Sequence, residues 1–439
     1  MRAGHLWLAS FLLLPVVGAP LLKARAFRGF GLPARAVLSA GVGAVLLSWT
    51  MTMFALVRLR WGPLLVFVAA GLAFALRIIL RRDEEALLPG EGREGAGRAT
   101  AFIAYALTVL SLLATLAATI AARSTSPDLL LFWGPKAQQF AAARTIDAEF
   151  LSAPYMEYLH VYYPPLVTNV YAFGAMIAGR FPWGAATLTF PLLLAATAIG
   201  LTGILRTQAT PPRTAATAAL ATSAIALIGI HASVAGNAEP FLLFFEILGL
   251  TLLVTPIARS TAGKLLAGLL FAGAAASKVE GLVFVLAAGV LFALIERGAA
   301  RPFWRTLLLL FAPTAVALGT WLAYGASRRL FSGYQGYGSV LEPRFGSLAT
   351  ILSDVGVALW KVGYALPWLV PLVVLLLVPG KNHRVLLPVL AALAIAGFLL
   401  FTYLTTESIV RLLIAWSAAR VLAPVSALLA LASGVRDAR

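Results

Sequence analysis

Apolar residues run through this chain in long blocks separated by short polar breaks. A bilayer crossing needs about 20 mostly apolar residues. Read by that rule, the pattern predicts apolar segments near 6–22, 37–57, 63–80, 100–122, 166–178, 184–205 and 215–230. Seven more follow near 240–257, 265–276, 282–295, 306–324, 364–378, 385–404 and 412–432. The first could be mistaken for a secretory signal. Its positive flank (Lys23, Arg25, Arg28, Arg35) follows the apolar run instead of preceding it, the reverse of a signal peptide, so a retained span is expected.

Composition gives the blocks their meaning. Apolar residues make up 61% of the 439 positions and charged residues 12%. Soluble domains run near about 45–50% and about 25%. A surface so poor in charge suits lipid, which predicts an all-α, polytopic helical membrane protein. Thirty-four Lys and Arg against 17 Asp and Glu give a net charge of +17. In a membrane protein that surplus reports inner loops and anionic headgroups. No long basic arm is present, and nucleic acid is excluded as a partner. With no cysteine, disulfide frameworks, thiolate metal sites and thiol nucleophiles are excluded together. The four histidines (His5, His160, His231, His383) are too dispersed to predict a metal site.

Two connections are long. Segment 123–160 holds Asp128, Asp147, Glu149 and Glu157 with Trp133 and several tyrosines, and 328–361 holds Glu342, Asp354 and a Gly/Tyr run at 333–338. Placing the basic loops 23–35, 81–98, 206–213, 259–264, 297–305 and 381–384 inside puts both long loops outside. Parity then requires one segment between 160 and 206 not to cross. The 13-residue stretch 166–178, bracketed by Pro164-Pro165 and Arg180-Phe-Pro-Trp183, is the shorter of the two and is expected to lie at or dip into the outer interface instead of crossing. About 13 transmembrane helices remain. The chain divides into extra N-terminal helices (1–99), a central module (100–300, outer loop 123–165) and C-terminal helices (301–439, outer loop 326–361).

Chemistry concentrates at a few charges. Asp128 follows a span and precedes Leu129-Leu-Leu-Phe-Trp133-Gly-Pro-Lys136, so it lies at headgroup depth. A carboxylate there can act as general base on an acceptor hydroxyl, and Lys136 can meet a lipid phosphate. Glu239 opens an apolar span, where an unpaired carboxylate is costly. Lys278 and Glu280 sit between two apolar segments, either pairing with each other or presenting Lys278 to a phosphate. His160 precedes Val161-Tyr-Tyr163-Pro-Pro165 and could line a groove, whereas His231 reads as a helix end. Arg411 and Arg420 interrupt the last apolar segment, where an arginine faces protein or water.

These residues resemble a known family. Asp128 through Trp133-Gly-Pro-Lys136-Ala-Gln, then Tyr162-Tyr163-Pro-Pro-Leu166, resembles the first outer loop of membrane-embedded GT-C glycosyltransferases. The nearest types are protein O-mannosyltransferases, aminoarabinose transferases and family-39-like bacterial enzymes. Asn237-Ala-Glu239-Pro resembles their second acidic motif, and the small-residue run ending Ser277-Lys278-Val-Glu280-Gly281 resembles a later turn. The likeness spans about 100–295. Asp128 lacks the adjacent acid often found there, Glu239 stands where Asp is common, and three extra spans come first. Family members place an Arg-Leu-Leu near a proline at the C-terminal end. Arg411 fits by its neighbours and Arg420 by its distance to Pro424, with Arg411 preferred.

The resemblance implies a GT-C fold and an inverting transfer of sugar from a polyprenyl-phosphate donor to a lipid, glycan or protein acceptor. The reaction would take place on the outer face of the inner (plasma) membrane. Asp128 would be catalytic, and Lys136, His160, Tyr163, Glu239, Lys278, Glu280 and Arg411 or Arg420 would bind donor and acceptor. A divalent cation is an open cofactor; no other is implied. The rival readings are a transporter or lipid flippase, against which stands the lack of an inverted repeat, and a non-catalytic scaffold.

Overall fold

The computed structural model describes residues 2–80, 98–122, 126–153, 160–207, 211–232, 234–296, 303–330, 343–377, 383–405 and 410–435. The expected loops at 81–97 and 331–342, with their Gly/Tyr run, and Glu157 lie outside the described residues. The chain is all-helical, 86% helix with no strand among the described residues.

The helices run α1 (Arg2–Ser10), α2 (Leu13–Leu22), α3 (Leu32–Leu56), α4 (Leu64–Leu80) and α5 (Arg98–Ala122). Four short helices and two longer ones follow in the centre: α6 (Gly134–Ala143), α7 (Ala148–Ser152), α8 (Leu166–Ala178), α9 (Trp183–Ala186), α10 (Thr189–Leu205) and α11 (Pro211–Ala232). Next come α12 (Glu239–Val254), α13 (Thr261–Ser277), α14 (Val279–Ile295) and α15 (Phe303–Ser327). The chain closes with α16 (Leu348–Trp360), α17 (Leu366–Leu377), α18 (Leu386–Thr405), α19 (Val410–Val421) and α20 (Ala423–Val435).

Among the described residues eight stretches are long and apolar enough to cross a membrane, and the pair α16–α17, bent by 97°, makes a ninth if taken as one span. The chain is a multi-pass membrane protein. The count falls below the thirteen expected because α4, α12, α13 and α14 are only 16 or 17 residues long. Seventeen residues rise about 25 Å at 1.5 Å each, less than the ~30 Å hydrocarbon core. α12 is enclosed along its whole length and α3 is 78% buried, while α5 and α15 are peripheral at 22% each.

α8, at 13 residues, is not among the helices long enough to cross, and its residues 166–175 are all buried against the protein. Asn169 accounts for that burial. Its Nδ2 donates to the Ser48 carbonyl (3.1 Å), Ser48 Oγ (3.1 Å) and Thr52 Oγ1 (3.2 Å), tying α8 to α3 through interhelical hydrogen bonds. Tyr171 adds a second tie: its hydroxyl donates to the Gly236 carbonyl at 3.0 Å, and its own carbonyl accepts from Trp7 Nε1 at 3.3 Å.

With lipid on the outside, helices associate by close backbone approach at small residues. α2 and α3 show this at two reciprocal positions. A Cβ on Gly18 would stand 2.0 Å from the Ser39 carbonyl oxygen, and one on Gly43 would stand 2.0 Å from that of Leu14. Gly43→Val should therefore force the helices apart and lower stability by more than about 2 kcal/mol, within the range for overpacking. Gly71→Ala on α4, where a Cβ meets nothing within 4 Å, should keep or slightly raise the melting temperature, since alanine is the better helix former. Thermal unfolding in detergent reads both, and equal melting of the two variants would contradict this packing.

Candidate functional site

The site begins with a cap. Ser126 Oγ accepts the Leu129 N–H at 3.2 Å, and its hydroxyl donates to Asn237 Oδ1, joining the segment before α6 to the one before α12. Pro127 and Asp128 then enter a helical turn that widens into a π-helical segment at Leu129–Trp133 before α6. Asp128 is thus aimed by a cap fastened to the loop that carries Glu239.

Five charges from four parts of the chain meet here. Arg420, in the last turn of α19, donates from Nη1 to Asp128 Oδ2 at 2.6 Å, and its Nε lies 3.6 Å from Glu239 Oε1. Lys278 Nζ lies 3.2 Å from Glu239 Oε1 and 3.0 Å from Glu280 Oε1. The order Asp128, Arg420, Glu239, Lys278, Glu280 alternates in sign. Local sequence explains the positions. Pro240 at the first turn fixes Glu239 at the start of α12, where the helix dipole favours an acid. Lys278 is a single extended residue (φ −160°, ψ 158°) between α13 and α14, so its side chain leaves at the break between the two helices.

Beside the charges stands an aromatic wall. The Trp133 and Tyr163 rings stack at 5.8 Å, and Lys136 Nζ sits 4.6 Å from the Trp133 ring centre. His160, in a left-handed conformation (φ 48°), packs against Phe132 at 4.6 Å, and its Nδ1 shares a hydrogen bond with the Tyr162 hydroxyl at 2.9 Å. Burial, aided by Lys136 and Lys278, lowers the His160 imidazole to about 4, so it is neutral at physiological pH. Burial lowers the Lys136 ammonium to about 7. That lysine is 3% exposed and has no carboxylate partner among the described residues. Burial and the Glu239 carboxylate push Asp128 above the ordinary carboxylate range, against the pull of Arg420 and Lys278.

Several polar atoms here make no hydrogen bond among the described residues: Trp133 Nε1, Asn237 Nδ2, Glu239 Oε2, Glu280 Oε2 and Arg420 Nε. Buried groups ordinarily find partners, so this cluster marks where a polar ligand would sit. A divalent cation does not fit that place. Asp128 and Glu239 already face Arg420 and Lys278, no group of three or more metal-binding side chains exists among the described residues, and no step is routed through a metal. The unpaired Lys136 suits an anion instead.

Asp128, Glu239, Lys278, Glu280 and Arg420 thus come together, with Lys136, His160 and Tyr163 in the adjoining wall. The preference for Arg411 over Arg420 is corrected. Arg411 is 76% exposed and pairs at 3.3 Å with Asp354 on α16, away from the chain of charges. Facing inward decides between them, and Arg-Leu-Leu neighbours do not report it. Sequence reasoning also missed Glu246. It is 1% exposed, two turns along α12 from Glu239 on the same face, and its Oε2 makes no hydrogen bond among the described residues. An acid inside the apolar run Phe241-Leu-Leu-Phe-Phe-Glu246 was the available signal.

A scan against protein-family models and searches of curated proteins and of solved structures find no match to this chain.

Removing Arg420 would strand two buried carboxylates. Arg420→Met should destabilise the protein by about 3–5 kcal/mol, the scale for breaking one side of a buried pair. Arg411→Met should cost at most about 1 kcal/mol, as for an exposed pair. Unfolding followed by size-exclusion recovery after heating compares them, and similar losses would argue against the assignment of Arg420 to the buried chain.

Proposed function

We propose that this protein is an integral-membrane glycosyltransferase of the GT-C type. It takes a sugar from a polyprenyl-phosphate donor and transfers it, with inversion, to a hydroxyl or amine of a lipid, glycan or protein acceptor at the outer face of the inner membrane. In this reading the 16- and 17-residue helices also cross, giving about thirteen passages. The observation that carries the proposal is the buried alternation of Asp128, Arg420, Glu239 and Lys278 beside the unpaired Lys136, with orphaned polar atoms between them.

Arg420 occupies Asp128 Oδ2, which leaves Oδ1 to take the acceptor's proton. A carboxyl group held above its ordinary range is a stronger base than a solvated one. As the acceptor oxygen bonds to the anomeric carbon, the bond from that carbon to the phosphate oxygen breaks. The departing lipid phosphate gains charge, and Lys136 and Lys278 compensate it electrostatically. Glu239 positions Arg420 and Lys278, and Trp133 and Tyr163 supply the flat apolar surface on which a sugar ring packs. A second reading, an ion-coupled lipid transporter, draws on Glu246, because a buried acid within an apolar helix is a common mark of an ion path.

Transfer of labelled sugar from a polyprenyl-phosphate donor by the purified protein decides between the two. Asp128→Asn should lower turnover by roughly 10²–10⁴, the contribution of a general base, while donor binding is kept. Asp147→Asn should retain most activity. Absence of transfer in the wild type, with lipid movement retained, would select the transporter.

Lys136 gives the donor step a pH signature. Free Lys136 is charged below about 7, and a bound phosphate would hold the proton on it at higher pH. Donor affinity should be greatest below 7 and weaken above it by up to about tenfold per pH unit. In Lys136→Met the affinity should be lower and flat with pH. The same slope in wild type and variant would remove Lys136 from the phosphate site.

A further inference from the structure

At the same end of the bundle, on the face of α6 turned away from Lys136, lies a second cleft of about 700 Å³ that the proposed reaction does not use. Its floor is apolar, formed by Trp61, Phe173 and Phe181, and its rim carries Arg144, Arg180 and Gln138. The rim is built into the fold. Arg144 ends α6 in a left-handed conformation (φ 53°), and its carbonyl accepts the Trp61 N–H at 2.7 Å. Arg180 leaves α8 just after Gly179 (φ 76°). Trp61 is held from below by its Nε1, which donates to the Met51 carbonyl at 2.9 Å.

Both rim arginines are exposed, and neither has a carboxylate partner among the described residues. Arg58 and Arg60, in the connection before Trp61, are exposed as well. The nearby acid Asp147 is already engaged by Gln139 Nε2 (2.7 Å) and the Phe150 N–H (2.9 Å). Opposite the rim the cleft opens past Leu13 of α2 and Val66 of α4. Their neighbours Leu12 and Phe67 are 72% and 73% exposed, which is the lipid-facing surface of a membrane protein. The cleft is therefore cationic at its mouth and apolar along a path that continues into lipid. A bilayer lipid with a negative headgroup has that same division, and arginine guanidinium groups pair with phosphate by charge-assisted hydrogen bonds.

We infer that this cleft is a binding site for an anionic phospholipid. The phosphate lies between Arg144 and Arg180, and an acyl chain runs over Trp61 and Phe173 toward Val66. The inference does not depend on the transferase reading, because the cleft is separate from the chain of charges.

Native mass spectrometry of the delipidated full-length protein tests it, with phosphatidylglycerol and phosphatidylcholine of identical chains as probes. The wild type should retain phosphatidylglycerol at least about tenfold more tightly, because its headgroup carries net negative charge while the choline cation of the other probe is repelled by the two arginines. Arg144→Gln with Arg180→Gln should abolish the preference. Arg98→Gln with Arg206→Gln, which removes the same charge elsewhere, should keep it. Ala142→Trp fills the cleft without changing charge and should also lower retention, so the test survives poor folding of the arginine variant. Inorganic phosphate should not displace the lipid at equal concentration. Equal retention of both lipids, a preference that survives the double substitution, or ready displacement by phosphate would overturn the assignment.

Discussion

Burying charge at the edge of hydrocarbon is the constraint on which this structure turns. Each of Asp128, Glu239, Lys278 and Arg420 would be costly alone in that setting. Together they form a chain in which every member has a partner of opposite sign within 3.6 Å. The compensation works only if the segment before α6, the start of α12, the α13–α14 break and the end of α19 arrive at one point. Ser126 bonded to Asn237, and Tyr171 bonded to the Gly236 carbonyl, hold that point from the apolar side. Stability and the geometry of the site are therefore set by the same few contacts.

The chain of charges is not fully satisfied from within. Glu239 Oε2 and Arg420 Nε remain without hydrogen bonds among the described residues, and burial lowers the Lys136 ammonium to about 7. A purely structural network would gain by closing these gaps. Leaving them open beside a stacked Trp133–Tyr163 pair suits a site that alternates between being filled and emptied. The lipid cleft on the other side of α6 differs in kind. Its arginines are exposed and its floor is apolar, so it suits a ligand that stays partly in the bilayer.

Much of this was legible in the sequence. Apolar blocks and sparse charge mark the helical membrane class, acids beside apolar runs mark Asp128, Glu239 and Glu280 as candidates, and the Lys278–Glu280 pair is legible from their spacing. Three features were not legible. Arg411 and Arg420 have similar surroundings in sequence, and only the direction each faces separates an exposed pair with Asp354 from a buried one with Asp128. The burial of α8 depends on Asn169 finding Ser48 and Thr52, a pairing that hydropathy does not record. The span count depends on where helices break. Lys278 ends one helix and begins the next with a single residue, which no apolar average detects.

The separation of these partners along the chain bears on how the protein is made. Lys278 lies 39 residues after Glu239, and Arg420 lies 292 residues after Asp128. At a synthesis rate of about 20 residues per second, Asp128 exists for about 15 s before its arginine leaves the ribosome. α12 carries two acids and is a poor candidate to enter lipid alone, since an acid at the centre of an inserting helix costs about 2.5–3.5 kcal/mol. Its natural escort is the α13–α14 hairpin that brings Lys278. The three helices would leave the insertion machinery as one unit, and the end of the bundle would stay open until α19 arrives to close it.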